Sequence, residues 1–374
     1  MHNMNITCLI DTLNSGGAQR QMVNLVVMLK SKGYNVTLIT YHPINHFTYI
    51  LEKNNINHIC IRANNNLSRI IKIRHKVHSL KTDVLISFLD IPSLIAQIIS
   101  LPFAPWKTIV SERVLEIGKA NKIRKLSRNL YRITKAITAN SNENKKVIEQ
   151  KAPWSKNKVH VIYNSVDLEK FQPPASRNIK QNKIIVVASF RATKNPAGLF
   201  KALKLVKEKR PDIQFELKWY GHKNPSLGET TSKVYEDAKQ LLNELELNEI
   251  VKLLEPVTNI EDKYNESSVL VLPSFTEGLP NVVCEAMACG MPVLISNVAD
   301  AKYLVENDYN GYLFDPYSIE NMADTLIKYF DLSIDEKLKF GQNSRTKAEM
   351  LFSSEDYVQN YINIINNITH NDQK

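Results

Sequence analysis

Pro273-Ser-Phe-Thr-Glu277-Gly-Leu-Pro-Asn-Val-Val-Cys-Glu285-Ala-Met-Ala-Cys-Gly290 is the stretch on which the reading of this chain turns. The apolar run 269–272 before it ends at Pro273 and reads as a β-strand. After a polar turn, Pro280 opens a helix of small and apolar residues that Gly290 closes, with proline at the start and glycine just past the end. Glu277 lies in the turn, and Glu285 more than one turn into the helix. Between them Gly278-Leu279 lets the backbone pass close to a ligand. The backbone amides of the helix start, Asn281 among them, and the helix dipole both favour phosphate there. Two carboxylates beside a phosphate repel it unless they accept hydrogen bonds from another part of the same ligand. Sugar hydroxyls are donors of that kind. The stretch therefore reads as a nucleotide-sugar site.

Length and composition bound what surrounds it. A chain of 374 residues has room for two domains, each with its own core, and 43% hydrophobic with 23% charged residues is a globular balance. Cys8, Cys60, Cys284 and Cys289 show no CxxC spacing and fall in apolar segments, so they read as buried free thiols rather than metal ligands or disulfides. No signal peptide is visible, and the longest apolar stretch, 91–106, contains Gln97 and is broken by Pro102 and Pro105. It is too short and too interrupted to span a bilayer.

The net charge is +10, and seven Lys or Arg residues without one acid lie between Lys119 and Lys135. Ile123, Leu126, Leu130 and Ile133 recur through this run at helical spacing, and a second run, 69–81, repeats the design with Ile70, Ile73, Val77 and Leu80. One reading is two surface helices whose apolar stripes pack inward and whose charges are solvated. The other is attraction to an anionic leaflet or a diphosphate-bearing acceptor, each well-placed cation adding ~1 kcal/mol. Nucleic acid is not expected as a partner, because aromatic interleaving, zinc fingers and a helix-turn-helix signature are all missing.

Along the chain, strand and helix patterns alternate. In the first half, strands are expected at 5–13, 36–40, 58–61, 84–88, 108–110 and 136–139, with helices at 18–31, 69–80, 92–99, through the basic run and at 142–150. The polar, proline-containing segment 172–182 breaks the pattern as a linker would. The alternation then restarts with strands at 184–189, 215–220, 251–254, 269–272 and 292–295. The intervening helices fall at 196–209, 232–245, 280–290, 299–306, 319–329, 336–351 and 355–368. This is α/β architecture, two Rossmann-like domains in tandem, 1–171 and 183–351, with a terminal helix in 352–374 expected to pack back toward the first domain. Ligands of such sheets bind at the carboxyl ends of strands, and the cleft between facing domains is the expected site.

Two further turns stand at such strand ends. Ser15-Gly16-Gly17 precedes the first helix: on its own a tight turn, but also a second helix start able to steady a phosphate or sugar oxygen. Phe190-Arg191-Ala-Thr-Lys194-Asn195-Pro196 follows the first strand of the second half. There Arg191 offers a bidentate fork and Lys194 a point charge to a diphosphate, unless Lys194 is simply a solvated residue.

Together these pieces carry a resemblance. Glu277-Gly-Leu-Pro-Asn-Val-Val-Cys-Glu285 resembles the E-x7-E signature of glycosyltransferase family 4, the retaining transferases of GT-B fold, and Ala286-Met-Ala-Cys-Gly290-Met-Pro-Val resembles its continuation. Ser15-Gly16-Gly17-Ala18-Gln19-Arg20 is similar to the family's Gly-Gly-Ala-Glu-Arg turn, from which Gln19 departs. Val161-Ile-Tyr-Asn164-Ser-Val-Asp167 looks like the segment leading to the interdomain linker. The resemblance implies that Glu285 holds the ribose hydroxyls, that Glu277 meets the donor sugar, that the Gly278-Leu279 amides cover the diphosphate, and that Lys194 neutralises it as it leaves. The family's usual arginine falls at Ser189 here, and Arg191 would substitute from the next turn. In Ser111-Glu112-Arg113 many relatives have histidine third; Arg113 cannot act as a base, though Glu112 and Arg113 could serve the acceptor side. The implied chemistry needs no cofactor or divalent metal, and the sequence has no Asp-x-Asp motif.

Similarity of Thr12-Leu-Asn-Ser-Gly-Gly17 and Ile86-Ser-Phe-Leu-Asp90 to enzymes building lipid-linked bacterial oligosaccharides implies a polyprenyl-diphosphate acceptor. It also implies a peripheral place on the cytoplasmic face of the inner membrane. A nicotinamide dehydrogenase is disfavoured because Gly-x-Gly-x-x-Gly does not occur. A GT-B nucleotide-sugar epimerase, or a non-catalytic saccharide- or membrane-binding protein, are the remaining alternatives.

Overall fold

Strands and helices alternate through the computed structural model, which describes residues 4–114, 116, 122–175, 181–223 and 233–370. The chain divides into two units, Met1–Ser165 with Ser354–Lys374, and Val166–Ser353. In the first unit the chain runs β1 (Asn5–Leu9), α1 (Gly17–Ser31), β2 (Asn35–Thr40), α2 (Thr48–Lys53), β3 (Asn57–Cys60), α3 (Asn66–Ser79) and β4 (Val84–Phe88). It continues with α4 (Asp90–Ile99), β5 (Lys107–Glu112), α5 (Lys122–Asn129), β6 (Ala136–Ala139), α6 (Asn142–Lys151) and β7 (Val159–Val161). The sheet is parallel, in the order β3-β2-β1-β4-β5-β6-β7. Every residue of Val84-Leu-Ile-Ser-Phe88 is buried, as expected for a strand covered on both faces. One face packs Ile6, Cys8 and Ile86 against Leu25, Val26 and Leu29 of α1; the other packs Leu9 and Leu85 against Ile73 and Val77 of α3 and Ile95 and Ile99 of α4.

The second unit contains β8 (Asn182–Val187), α7 (Pro196–Lys209), β9 (Phe215–Tyr220), α8 (Lys233–Glu244), β10 (Val251–Leu254), α9 (Ile260–Asn265) and β11 (Val269–Leu272). Then come α10 (Asn281–Ala288), β12 (Val293–Ser296), α11 (Ala301–Leu304), β13 (Gly311–Phe314), α12 (Ile319–Phe330) and α13 (Ile334–Phe352). Its parallel sheet has the order β10-β9-β8-β11-β12-β13. The last helix, α14 (Ser354–His370), returns to the first unit, burying Tyr361 and Ile365 in the cluster that holds β1 and α1.

Several details differ from the sequence reading. The units part at Ser165/Val166 rather than after residue 171. Val166 N–H donates to Phe352 O, and Arg345 Nη1 donates to Phe171 O (2.8 Å) and Ala288 O (2.7 Å), so 166–171 is tied to the second unit. Much of the expected linker, 176–180, lies outside the described residues. Segment 299–306 forms only the single turn α11. The short elements α2, β7, α9 and β13 escape periodicity because each is too brief to show one. In β13, Gly311 is required by close approach: a Cβ there would lie 1.8 Å from Val293 O.

Strand order reverses once in each sheet, between β1 and β4 and between β8 and β11. Parallel sheets bind ligands outside the strand carboxyl ends at such reversals, because neighbouring crossovers depart to opposite faces and leave a crevice. In the second unit, the loops there are those that carry Lys194 and Glu277.

Candidate active site

The β8 loop is shaped before it reaches its cation. Beyond the strand ends, Ala188 N–H donates to Tyr220 O (3.0 Å) and Phe190 N–H to His222 O (3.1 Å), so β8 and β9 stay joined. Gly221 permits this, since a Cβ would meet Ala188 O at 1.9 Å. A 3-10 turn, Ala192–Lys194, leads to Asn195 at φ +52°, a left-handed conformation that asparagine tolerates better than most residues. Asn195 Oδ1 accepts from Gly198 N (3.0 Å) to cap α7, and its Nδ2 donates to Pro316 O (3.0 Å). Phe275 N–H then donates to Thr193 O (2.8 Å), drawing the loop after β11 against the loop after β8.

That bond brings the two charges together. Lys194 Nζ donates to Glu277 Oε1 at 2.6 Å, with the side chains 24% and 14% exposed. This is a charge-assisted bond in partial shelter, one that a second anion can compete for. Arg191 is exposed and makes no side-chain hydrogen bond or ion pair among the described residues, while Ser189 is half-buried.

Gly278 and Pro280 line a small pocket with Leu272, Ser274, Glu277 and Ser296. Leu279 is buried, and α10 follows with Pro280 at its N-cap and no side-chain cap, so Asn281 is its first residue. Glu285, also buried, accepts from Tyr264 Oη at 3.2 Å. Gly290 ends the helix at φ +66°, its N–H donating to Met287 O (2.9 Å).

In the first unit, Gly16 caps α1 at the carboxyl end of β1, and Gly17 is the helix's first residue. A Cβ on Gly16 would lie 2.2 Å from Gln19 Oε1 and 2.9 Å from Asn14 Oδ1, so a larger residue would have to push those side-chain ends aside. Gln19 Nε2 donates to Asp11 Oδ1 (3.1 Å), which explains glutamine here: glutamate would set two carboxylates against each other.

Glu112 is not placed to receive an acceptor. Its carboxylate accepts from Arg128 Nε (2.9 Å), Arg128 Nη2 (2.8 Å) and Tyr131 Oη, all buried. Arg128 also reaches Glu116 at 2.7 Å, and burial followed by the charge of Glu112 pushes the Tyr131 hydroxyl well above the usual phenol range. Glu112 is thus a brace between β5 and α5. Arg113 differs. Its guanidinium lies over the Phe88 ring (4.5 Å) and donates to Asn164 Oδ1, and although Arg113 is buried, its Nη1 has no partner among the described residues.

Sequence comparison bears on the whole arrangement. A family model described as Glycosyltransferase Family 4 matches residues 15–170, and one described as Glycosyl transferases group 1 matches 168–347. The chain belongs to glycosyltransferase family 4. It is 27% identical over 350 residues to an uncharacterized glycosyltransferase of Haemophilus influenzae, covering 92% of this chain and 93% of that protein. It is 27% identical over 325 residues to a Campylobacter jejuni alpha-1,4-N-acetyl-D-galactosaminyltransferase whose name specifies a PP-undecaprenol-linked glycan, covering 83% and 84%. Among solved structures, Anabaena HepE in complex with UDP superposes with TM-score 0.85 at 18% identity, covering 97% of this chain and 100% of that one. A glycosyltransferase from Rickettsia africae does so with TM-score 0.85 at 18% identity, covering 99% of each chain. These likenesses show a GT-B fold.

Within the family-4 signature, the positions of Glu277 and Glu285 are now explicit: the first faces a lysine from the neighbouring loop, the second a tyrosine from α9. Sequence reasoning missed Tyr264 and Ser274. Ser274 is fully buried, its Oγ has no partner among the described residues, and it lines the pocket beside Glu277 and Gly278. An unsatisfied buried hydroxyl at a pocket wall is ready to bond a ligand atom or a water. Nothing in a serine of a polar turn signals this in advance.

Proposed function

We propose that this glycosyltransferase moves a hexose or N-acetylhexosamine from a UDP-sugar to a lipid-linked glycan, with retention at the anomeric carbon, in bacterial surface polysaccharide or oligosaccharide synthesis. The observation that carries the reading is the Lys194–Glu277 bond at the sheet reversal, with Glu285 further along the same loop and helix. Glu285 accepts the ribose hydroxyls, and the amides of Gly278, Leu279 and Asn281 face the diphosphate. When the donor binds, Lys194 exchanges the Glu277 carboxylate for phosphate oxygens, and Glu277 turns to the sugar hydroxyls. Arg191, exposed, adds a second cation. In the first unit, Gly16 and Gly17 steady a donor oxygen, and Arg113 Nη1, without a partner among the described residues, takes an anionic oxygen on the acceptor side.

In the transfer step, the acceptor hydroxyl oxygen bonds to the anomeric carbon while the bond from that carbon to the phosphate oxygen breaks. The hydroxyl proton passes to the leaving diphosphate on the same face. No protein base is then required, and Lys194 with the loop amides stabilises the charge that develops, without a divalent metal. An Escherichia coli relative named as a UDP-Gal:alpha-D-GlcNAc-diphosphoundecaprenol galactosyltransferase, 28% identical over 203 residues, supports a UDP donor and a diphosphate-lipid acceptor. No described helix is long and apolar enough to cross a membrane. The lipid-linked acceptor is what puts the enzyme, in this reading, peripherally on the cytoplasmic face of the inner membrane.

A panel of UDP- and GDP-sugars offered with an undecaprenyl-diphosphate glycan tests this. UDP release from one donor and a product of unchanged anomeric configuration by NMR are expected. An inverted product rejects retention. An epimer formed from UDP-sugar alone, or no turnover with any donor, rejects transfer.

A further inference from the structure

The two basic helices, alike in sequence, are oriented oppositely in the structure. On α3, Ile73 and Val77 are buried, and Ile70 and Leu80 pack on the same core, so its stripe faces inward. On α5 the polar stripe is the buried one. Arg124 binds Asp90 through Nε and Nη2 (2.7 Å at the closest), Ser127 Oγ donates to Gln97 Oε1 (2.8 Å), and Arg128 clasps Glu112. The apolar stripe is therefore turned out, with Ile123 36%, Leu126 49% and Ile133 41% exposed. Trp154, 41% exposed, lies alongside: its Nε1 donates to Arg128 O (3.1 Å), and the Arg132 guanidinium stands 5.0 Å over its ring. Lys122, Lys125, Arg132 and Lys135 flank the stripe, all exposed, and 122–135 contains no acid. Lys119, in the same basic run, lies outside the described residues.

A helix fastened by ion pairs through its polar side, with its aliphatic side partly open to water, is the reverse of what burial in a soluble protein produces. Water penalises each exposed aliphatic side chain, and the like charges of the flanking cations repel one another. An anionic bilayer relieves both penalties, taking apolar side chains and a tryptophan at headgroup depth while phosphates meet the lysines. We infer that the outer face of α5, with Ile133 and Trp154, is the surface by which the first unit docks on anionic phospholipid. This deepens the reading above, from which it takes a membrane-borne acceptor.

Flotation with vesicles of phosphatidylglycerol and phosphatidylcholine in equal parts, against phosphatidylcholine alone, tests it. The wild type is expected to bind the anionic vesicles and to leave them as salt rises. Leu126→Ser/Ile133→Ser is expected to lose about ten-fold or more in partitioning. Lys122→Gln/Lys125→Gln should lose binding mainly in its salt-dependent part. Met350→Ser, at a still more exposed apolar side chain of the second unit, should bind as wild type. Failure of the wild type to float, or floating unchanged by Leu126→Ser/Ile133→Ser, overturns the inference. So does a dimer in light scattering that this double variant dissociates, since a second copy would then cover the stripe. Calorimetry with UDP on the same proteins separates the two claims: vesicle binding lost in the variant, with UDP bound by neither protein, keeps the docking face and rejects the donor site.

Discussion

Lys194→Ala is expected to lower kcat by ~10²–10³, the effect of removing one preorganised charge-stabilising group from a transition state. The bond to Glu277 at 2.6 Å shows the ammonium held at the reversal of the second sheet rather than drifting in solvent. Removing it leaves the leaving diphosphate to the loop amides and the exposed Arg191. KM for the donor should move far less than kcat, because charge on the bridging oxygen grows as the glycosidic bond breaks. Lys194→Arg should recover part of the loss, its planar fork carrying the charge in a different geometry. The fold should be unaffected, since the side chain spans a surface loop and Asn195, not Lys194, caps α7. Initial rates of UDP release check this, and near-normal turnover in Lys194→Ala would remove the lysine from the mechanism.

Arg128→Met is expected to destabilise the first unit by about 3–5 kcal/mol, the usual cost of stripping one partner from a buried ion pair. Arg128 is 3% exposed and satisfies Glu112 with two hydrogen bonds and Glu116 with a third, so methionine leaves two acids short of a cation in the interior. Adding Glu112→Gln should recover much of the loss, because the amide oxygen can still accept from Tyr131 without a charge to compensate. Hydrogen exchange of β5 and α5 amides, with urea denaturation, reads the effect. Were Glu112 instead an acceptor ligand, Glu112→Gln would raise acceptor KM and leave exchange unchanged; the brace predicts the opposite pattern.

What the chain discloses in advance follows from how local each cause is. The strands of both sheets are apolar runs bounded by breakers, legible because burial on both faces leaves no room for polar alternation. The Pro280 start and Gly290 stop of α10 were equally local. The orientation of α5 was not. Periodicity shows that Ile123, Leu126, Leu130 and Ile133 share a face, but which face turns inward is decided by Asp90, Gln97 and Glu112, in other segments. The unit boundary likewise depends on Arg345 reaching Phe171 O, a contact between distant positions. The Lys194–Glu277 bond joins residues 83 positions apart, so the sequence suggested each charge but not their meeting. Arg113 appeared as a departure from the family histidine, and only the fold reveals a buried guanidinium nitrogen without a partner among the described residues.

The central claim is that a nucleotide-sugar lies across this loop and helix with its ribose on Glu285. Calorimetry with UDP and 2′,3′-dideoxy-UDP, on wild type and Glu285→Ala, tests it most directly. A charged acceptor bonded to both hydroxyls should make wild type prefer UDP by about ten-fold or more. In Glu285→Ala, with circular dichroism unchanged, that preference should vanish. A preference for UDP that survives the substitution would place the ribose elsewhere and contradict the account.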